Sequence, residues 1–215
     1  MDFYPMPESC QIPNLSAIYE RHFGQKTDGT FVEIGAMDGF SFSNTYGLAE
    51  KGWRGLAYEP VPEYMTACMK LHADRKHNVT TILSAVGNVQ GLVNLYMGGV
   101  DSTIDKETVE KSPFGFTYDP DNYMVACITT LNIDLPHYGI QPGFEVISID
   151  VEGAEIYVLD GFDLDYFHPK MIIIETHVGV PGRDYHAKAI IDHITSHGYT
   201  IVDGSDALNT IFWKN

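Results

Sequence analysis

Two short apolar runs end in residues that suit the binding of an adenosine. The run Phe31–Ile34 is followed by Gly35 and Gly39. The run Gly55–Tyr58 is followed directly by Glu59. Glycines at the carboxyl end of a strand let the backbone pass close to a ligand. Glu59 comes about 20 residues after Gly39, a spacing typical of a carboxylate that accepts hydrogen bonds from ribose hydroxyls. The pattern predicts a site for an adenosine-containing cofactor.

The charge around these glycines favours S-adenosylmethionine over a dinucleotide. The chain has no G-x-G-x-x-G, the pattern that supplies the backbone N–H groups which bind a pyrophosphate. Glu33 near the end of the strand and Asp38 in the turn would repel an anionic ligand, whereas S-adenosylmethionine carries a sulfonium and an ammonium group. In the alternative interpretation, Glu33 satisfies loop amides and Asp38 is an ordinary turn residue. An NAD-linked oxidoreductase and a non-catalytic cofactor-binding module are the competing functions.

The bulk properties predict one globular domain that spans residues 1–215. The hydrophobic fraction is 44% and the aromatic fraction 12%, and no stretch approaches the roughly 18 to 20 apolar residues of a membrane span. Residues 1–12 lack the features of a signal peptide, and the 3 cysteines are far apart. We therefore expect a cytoplasmic protein without membrane or disulfides. A net charge of −16 with only 13 Lys and Arg argues against a nucleic-acid partner.

Apolar periodicity and turn residues predict alternating strands and helices. A helical lead-in over 1–29, with its helix at 13–24, precedes the first strand. Strands are predicted at 31–34, 55–59, 79–86, 144–150 and 170–177, with 93–97 in a hairpin-like excursion after 87–91 and an antiparallel terminal pair at 199–202 and 210–213. Helices are predicted at 43–51, 63–76, from 153 to 159 and at 184–197. This alternation predicts an α/β fold with a parallel sheet covered on both faces.

One long segment, residues 98–122, interrupts the alternation. It is rich in glycine, proline and acidic residues, and a segment of that length between elements is usually a functional lid or a surface insertion. We expect specificity for the acceptor to come from this segment and from the loop at 178–186. In that loop Arg183 either clamps an acidic acceptor or pairs with Asp184. The sequence contains no signal for an oligomeric state.

Several motifs together resemble the FkbM family of S-adenosylmethionine-dependent methyltransferases over residues 30–202. The most specific is Asp150-Val-Glu-Gly-Ala-Glu155, and it is supported by Glu33-x-Gly35, Leu83-Ser-Ala-Val-Gly87, Thr129-Thr-Leu131 and Ile174-Glu-Thr-His177. The chain departs from the family at Asn132, where Asp is common, and at Ser84, where a more polar adenine contact is expected. The resemblance implies a class I, Rossmann-like, doubly wound sheet of seven strands, mostly parallel, with the last strand antiparallel. It also implies methylation of hydroxyl groups on sugars or natural products, so the expected partner is a small-molecule acceptor.

The predicted cofactor contacts come from the turns after the first two strands and from the third and fourth strands. They are Glu33, Gly35, Ala36, Asp38, Gly39, Glu59, Pro60, Ser84, Ala85 and Asp150.

The ends of the fourth and fifth strands supply the catalytic candidates Asp150, Glu152 and His177. Methyl transfer requires alignment of the acceptor and removal of its proton. In one hypothesis Asp150 or His177 is the base. In another, Asp150, Glu152 and Glu175 bind a divalent metal such as Mg²⁺, which prefers oxygen ligands. The alternative roles are structural, since Asp150 suits a helix cap and Glu152 and Glu155 suit the first turn of a helix.

Overall fold

The computed structural model describes residues 2–111, 119–179, 186–202, 204–206 and 208–214. The strands are β1 (Thr30–Ile34), β2 (Arg54–Tyr58), β3 (Val79–Ile82), β4 (Ala85–Val86), β5 (Gly91–Tyr96), β6 (Tyr123–Thr129), β7 (Val146–Ile149), β8 (Met171–Glu175), β9 (Tyr199–Ile201) and β10 (Asn209–Lys214). The helices are α1 (Leu15–Phe23), α2 (Tyr46–Glu50), α3 (Pro62–Arg75), α4 (Lys106–Lys111), α5 (Leu131–His137), α6 (Glu155–Asp160), α7 (Leu164–Phe167) and α8 (Ala187–Ser196). A single 3₁₀ turn lies at Gly99–Asp101 within this part of the chain.

The main sheet has seven strands in the order β3-β2-β1-β7-β8-β10-β9. Neighbouring strands are parallel in the first part of this order, from β3 through β2, β1 and β7 to β8. Strand β10 is antiparallel to both of its neighbours. The direction in which strands are added reverses between β1 and β7. This topology confirms the predicted Rossmann-like fold with an antiparallel last strand.

Alternation along the strands places apolar side chains on both faces of this sheet. In β1, Phe31 lies on the first face with α1 and α2, whereas Val32 and Ile34 lie on the second face with α5 to α8. Strand β8 is buried at every position, as its uninterrupted apolar run predicts. The described helices cover both faces of the sheet.

Before α1, the chain does not form a helix. Tyr4 is fully buried in the core on the first face, and its hydroxyl donates to the backbone carbonyls of Gly24 (3.0 Å) and Lys26 (3.2 Å). The helical part of the predicted lead-in is therefore confined to α1. The preceding residues cross the first face and reach the carboxyl edge of the sheet.

The predicted strand 79–86 is confirmed only as far as Ile82, because the chain turns after β3. The Ser84 N–H donates to the Ile82 carbonyl at 3.0 Å, which ends the pairing with β2. Strand β4 then joins a second sheet, with the order β4-β6-β5. The predicted hairpin-like excursion is also corrected, since β5 pairs with β6 and not with the preceding strand. Strand β6 was not predicted.

Helix starts differ from the prediction where turn residues take the first positions. Helix α2 begins at Tyr46 and not at 43, because the Ser43 hydroxyl accepts the backbone N–H groups of Thr45 (3.2 Å) and Tyr46 (3.1 Å). Helix α6 begins at Glu155 and not at 153, because Gly153 has φ 99°. The predicted start of α8 at 184 lies outside the described residues. Every helix in the described part of the chain is too short or too polar to cross a bilayer.

Candidate active site

A cavity of about 300 Å³ opens at the carboxyl ends of β1, β2, β7 and β8. It lies where the strand order reverses between β1 and β7, the position at which open α/β sheets bind ligands. The predicted site residues that line this cavity are Glu33, Gly35, Ala36, Glu59, Pro60, Ser84, Ala85, Asp150, Glu152, Glu175 and His177. The two others, Asp38 and Gly39, lie outside the lining.

Gly35 allows the ends of β1 and β7 to meet. Its φ is +84°, and a Cβ at this position would lie 1.8 Å from the carbonyl oxygen of Asp150. The Asp150 N–H in turn donates to the Ile34 carbonyl at 3.0 Å. The sequence predicted a glycine here because a ligand would pass close to the backbone. In the structure, the atom that excludes a side chain is the carbonyl oxygen of Asp150. Gly35 therefore sets the position of Asp150 in the cavity.

Glu59 fixes the loops on either side of the cavity. It is buried at the end of β2. Its Oε2 accepts the Met37 N–H at 2.9 Å and its Oε1 accepts the Val61 N–H at 2.8 Å. Burial raises the pKa of the Glu59 carboxyl to about 7 against the lowering effect of these two donors. Each carboxylate oxygen has more than one lone pair, so the group retains acceptor capacity toward a ligand.

Glu33 is a buried carboxyl inside β1. Its Oε1 accepts the Ser43 hydroxyl at 2.9 Å, so this side chain contacts the loop before α2 through a hydroxyl. Burial, with a smaller contribution from the nearby Asp150 carboxylate, raises the pKa of Glu33 to about 7. Glu33 brings a proton-binding group to the floor of the cavity.

The side of the cavity next to α3 is apolar. Val61, at the start of α3, packs with Leu95 of β5 in a buried cluster, and Tyr64 and Ile104 pack against it. All four line the cavity. The second sheet therefore provides one wall of the site. This gives the predicted hairpin-like excursion a role that the sequence alone does not indicate. Ile104 belongs to the segment 98–122, and its neighbours from Gly99 onward also line the cavity.

The two departures from the family pattern have structural roles. Ser84 lines the cavity, and its hydroxyl lies 2.8 Å from the Ala85 carbonyl and 3.2 Å from the Cys127 carbonyl. Backbone acceptors therefore engage this hydroxyl. Asn132 is not among the lining residues, and its Oδ1 accepts the Asp163 N–H at 2.8 Å. Asn132 links α5 to the start of α7.

Asp38 and Gly39 shape the loop after β1. The Asp38 carboxylate accepts two backbone N–H groups of its own turn (2.9 and 2.6 Å) and the Ser41 hydroxyl (2.8 Å). Gly39 has φ +78°, and a Cβ would lie 3.0 Å from both Cys68 Sγ and His72 Nε2. These contacts agree with the alternative interpretation, in which Asp38 is an ordinary turn residue. Gly39 permits the turn to pack against α3.

The carboxylates that lie close together are not the set that was predicted to bind a metal. Within the described residues, Asp150, Glu155 and Glu175 each offer an oxygen within 4.8 Å of the others. Glu152 is not in this group. Glu155 accepts the backbone N–H groups of Val151 (3.0 Å) and of Gly153 (3.2 Å). Its carboxylate therefore reaches back from the first turn of α6 into the loop after β7.

His177 and Glu175 form a buried pair at the end of β8. His177 Nε2 lies 3.2 Å from Glu175 Oε1, so the two side chains lie together on the cavity side, as their spacing in the strand predicts. The His177 N–H donates to the Leu208 carbonyl at 3.0 Å, and so does the Thr176 N–H at 2.7 Å. These bonds tie the end of β8 to the residue before β10 and fix the position of the imidazole.

Three non-glycine residues that line the cavity within three positions of the end of a central strand have left-handed backbone conformations. They are Met37 (φ 48°), Glu152 (φ 57°) and His177 (φ 50°). Each follows the end of a central strand and lines the cavity. Such conformations cost on the order of 1 kcal/mol or more and cluster at functional sites. The sequence carries no signal for this feature, because none of the three is Gly, Asn or Asp.

Gln11 is a cavity residue that sequence analysis missed. Its Nε2 donates to Asp150 Oδ2 at 3.0 Å, and its Oε1 accepts the Asn44 amide at 3.4 Å. A single glutamine before the first helix carries no recognisable pattern. Other predicted specificity residues, 112–118 and 180–185 with Arg183, lie outside the described residues.

The raised pKa values of the buried carboxyls predict that the ligand-free protein loses stability as the pH rises. Burial raises the pKa of Glu33, Glu59 and Glu155 from 4.5 to about 7. The folded chain then holds protons that the unfolded chain has released, so the stabilisation is complete below about pH 4.5 and is lost as the pH passes 7. A tenfold difference in proton affinity between the folded and the unfolded chain corresponds to about 1.4 kcal/mol of folding free energy.

Denaturant unfolding at pH 5, 6, 7 and 8 measures this slope. In Glu33→Gln the free energy of unfolding should fall less steeply as the pH rises, because the substitution removes one of the groups that titrate. Glu63→Gln, at an exposed position of α3, serves as the matched control. Equal slopes in the wild type and in Glu33→Gln would contradict the assignment.

The fold and the cavity define a class I methyltransferase. Seven strands in this order, an antiparallel last strand and a ligand cavity at the switch between β1 and β7 are the features of that class. The sequence model of the methyltransferase FkbM domain matches residues 33–201. The chain therefore belongs to the FkbM methyltransferase family, as its motifs predict. A comparison with curated protein sequences gives no significant match.

Solved structures with the same fold are distant in sequence. The methyltransferase FkbM from Methylobacillus flagellatus KT superposes with a TM-score of 0.57 at 16% identity over 91% of this chain. The chain spans about half, 47%, of the length of that protein. A precorrin-6y C5,15-methyltransferase from Geobacter metallireducens GS-15 has a TM-score of 0.50, with 14% identity over 99% of this chain and 94% of its own. A putative O-methyltransferase from Klebsiella pneumoniae also has a TM-score of 0.50, with 14% identity over 98% and 84% of the two chains.

Proposed function

We propose that the protein is an S-adenosylmethionine-dependent O-methyltransferase that acts on a hydroxyl group of a sugar or another natural-product small molecule. The observation that carries this proposal is one cavity that combines the Glu59 carboxylate, an apolar wall and the buried pair of His177 and Glu175. Membership of the FkbM methyltransferase family supports the reaction class.

The proposed cofactor position follows the chemistry of the cavity lining. The adenine packs against the apolar wall of Val61 and Leu95, and the ribose hydroxyls donate to the Glu59 carboxylate. The cationic methionine end lies between the β1 loop at Gly35 and the carboxylate of Asp150, because negative charge there favours a sulfonium and an ammonium group. Asp38 and Gly39 make no direct contact in this proposal, since they lie outside the cavity lining.

The protein then has two tasks, which are alignment and proton removal. S-adenosylmethionine supplies an electrophilic methyl group, and transfer breaks its carbon–sulfur bond while a carbon–oxygen bond forms to the acceptor. The acceptor proton passes to the His177 imidazole or to the Asp150 carboxylate, the two predicted bases. Glu175, at 3.2 Å from His177, favours the protonated imidazole that results. Glu152 lines the same end of the cavity and is proposed to orient the acceptor.

A complex with S-adenosylhomocysteine would decide between the two bases. Its sulfur marks where the acceptor oxygen arrives, and reacting atoms lie about 3 to 3.5 Å apart in a productive arrangement. The base must lie within hydrogen-bonding reach of that oxygen. A sulfur remote from both His177 and Asp150 would remove both from the proposal.

The proposed reaction has no step at a divalent metal. If Mg²⁺ takes part, the arrangement of oxygens makes Asp150, Glu155 and Glu175 its ligands, without Glu152. Loss of methylation in excess chelator, with recovery on addition of Mg²⁺, would establish the metal and require a different mechanism.

Calorimetric titration tests the cofactor assignment. We expect S-adenosylhomocysteine to release heat and to saturate one site, and NAD to give none, because Glu33 and Asp150 near the β1 loop disfavour a pyrophosphate. Binding of NAD without binding of S-adenosylhomocysteine would replace the proposal by the NAD-linked oxidoreductase. Cofactor binding with no methylated product from a broad panel of hydroxyl compounds would favour the non-catalytic module.

A further inference from the structure

The residues before α1 form a strap, defined as residues 2–14, that is fixed at both ends. Near its beginning, Tyr4 is fully buried, with its ring 5.6 Å from that of Tyr19 and 6.0 Å from that of Trp53 in edge contacts. Near its end, Ile12 is buried in the same core. These contacts bind the strap to the first face of the sheet. They also carry it to the carboxyl edge, where the cavity opens.

Between these anchors the strap contacts the loop before α2. The Ser9 hydroxyl oxygen accepts the Phe42 N–H at 3.1 Å. Cys10 Sγ lies 3.7 Å from Asn44 Oδ1, within hydrogen-bonding distance for a thiol. Asn44 is itself buried, and its backbone carbonyl accepts the Tyr19 hydroxyl at 2.6 Å. The partner of the strap at the cavity is therefore held in place independently of the strap.

The hydrogen bonds from Asn44 through Gln11 run in one direction and end on Asp150. The Asn44 amide donates to Gln11 Oε1 at 3.4 Å, and Gln11 Nε2 donates to Asp150 Oδ2 at 3.0 Å. The Cys10 thiol, with one hydrogen, has two acceptors within reach, the Ile12 carbonyl at 3.6 Å and Asn44 Oδ1 at 3.7 Å. The Gln11 amide uses its oxygen as acceptor and its nitrogen as donor. The bond to Asp150 is a donor to a carboxylate, and such a bond favours the charged form and one orientation of it.

We propose that Gln11 is a positioning residue, which holds the Asp150 carboxylate toward the site where the methyl group is transferred. The strap lies outside residues 33–201, which the family model matches, so this part of the site is supplied by a segment that the family pattern does not include. Gln11 acts through Asp150 and not on the acceptor. The inference rests on the proposed function, because it requires the cofactor to bind in this cavity.

Two stable ligands measure the negative charge at the transfer position. S-adenosylhomocysteine is neutral at its sulfur. Sinefungin carries a protonated amine where S-adenosylmethionine carries its methylsulfonium group. A correctly placed Asp150 carboxylate strengthens sinefungin binding relative to S-adenosylhomocysteine. We expect Gln11→Met to lower the ratio of the two affinities about five-fold, the size of a typical net hydrogen-bond contribution. The affinity for S-adenosylhomocysteine should change less than two-fold.

The controls separate positioning from packing. Gln11→Ala should lower the ratio in the same way, which keeps the test valid if methionine packs poorly. Ser9→Ala removes a bond of the strap to the α2 loop but leaves the Asp150 contact, so it should lower the melting temperature without changing the ratio.

Three results would overturn the inference. They are an unchanged ratio in both Gln11 variants, equal weakening of both ligands, and an equal change of the ratio in Ser9→Ala. The last two would assign the strap a purely structural role. Failure of the wild type to bind S-adenosylhomocysteine would instead overturn the proposed function, and the inference with it, so the two failures are distinguishable.

Discussion

Gly35→Ala is expected to abolish cofactor binding and to unfold most of the protein at 37 °C. The new Cβ would lie 1.8 Å from the Asp150 carbonyl oxygen, a separation that atoms cannot adopt. The φ of +84° adds a conformational penalty for any residue with a side chain. Relief requires β1 and β7 to separate, and these are central strands of the sheet. We expect a loss of at least about 4 kcal/mol, the range of the most destabilising single substitutions.

Gly24→Ala is the matched control for this prediction. Gly24 also has a positive φ, +61°, but a Cβ there meets nothing within 4 Å. Its substitution should cost about 1 to 3 kcal/mol, from the backbone conformation alone, because its ψ is −143°. Denaturant unfolding of the two variants separates the steric penalty from the conformational one. Similar stabilities of the two variants would show that the sheet accommodates the side chain, and would remove the argument for Gly35.

The sequence predicted the parts of the site that local patterns determine. The β1 turn and Glu59 stand directly after apolar runs, so strand periodicity alone placed them at one edge of a parallel sheet. The two-residue spacing also predicted the contact of Glu175 with His177, although His177 lies beyond the end of β8. Burial of β8 on both faces likewise followed from its composition. These predictions succeed because the information lies within a few residues.

The features that were missed depend on contacts between distant segments. Gln11 is 139 residues from its partner Asp150, and no local pattern marks such a pair. Strand β6 pairs with both β4 and β5 across turns and helices, so its partners are set by the tertiary structure. Glu155 fits the first turn of a helix, as predicted, yet its carboxylate approaches Asp150 and Glu175. That approach depends on the path of the loop after β7.

Among the variants that are expected to stay folded, Glu59→Gln should have the largest effect on ligand binding. The carboxylate accepts the Met37 and Val61 N–H groups, one on each oxygen. An amide has only one acceptor oxygen, so its NH₂ would face one of these donors. The variant also loses an ionic acceptor for the ribose hydroxyls of the proposed cofactor. Two hydrogen bonds to a charged group contribute about 1.5 to 3 kcal/mol each. We therefore expect the affinity for S-adenosylhomocysteine to fall about 10²- to 10⁴-fold in calorimetric titration.

Two comparisons isolate the ribose contact from the disturbance of the loops. Glu63→Gln makes the same chemical change at an exposed position four residues further along, and its affinity should equal that of the wild type. The 2′,3′-dideoxy form of S-adenosylhomocysteine lacks both ribose hydroxyls, so the wild type should bind it as weakly as Glu59→Gln binds the parent compound. If Glu59→Gln weakens the dideoxy compound as much as the parent, the carboxylate serves only to order the Met37 and Val61 loops. The cofactor would then have to take another orientation in the cavity.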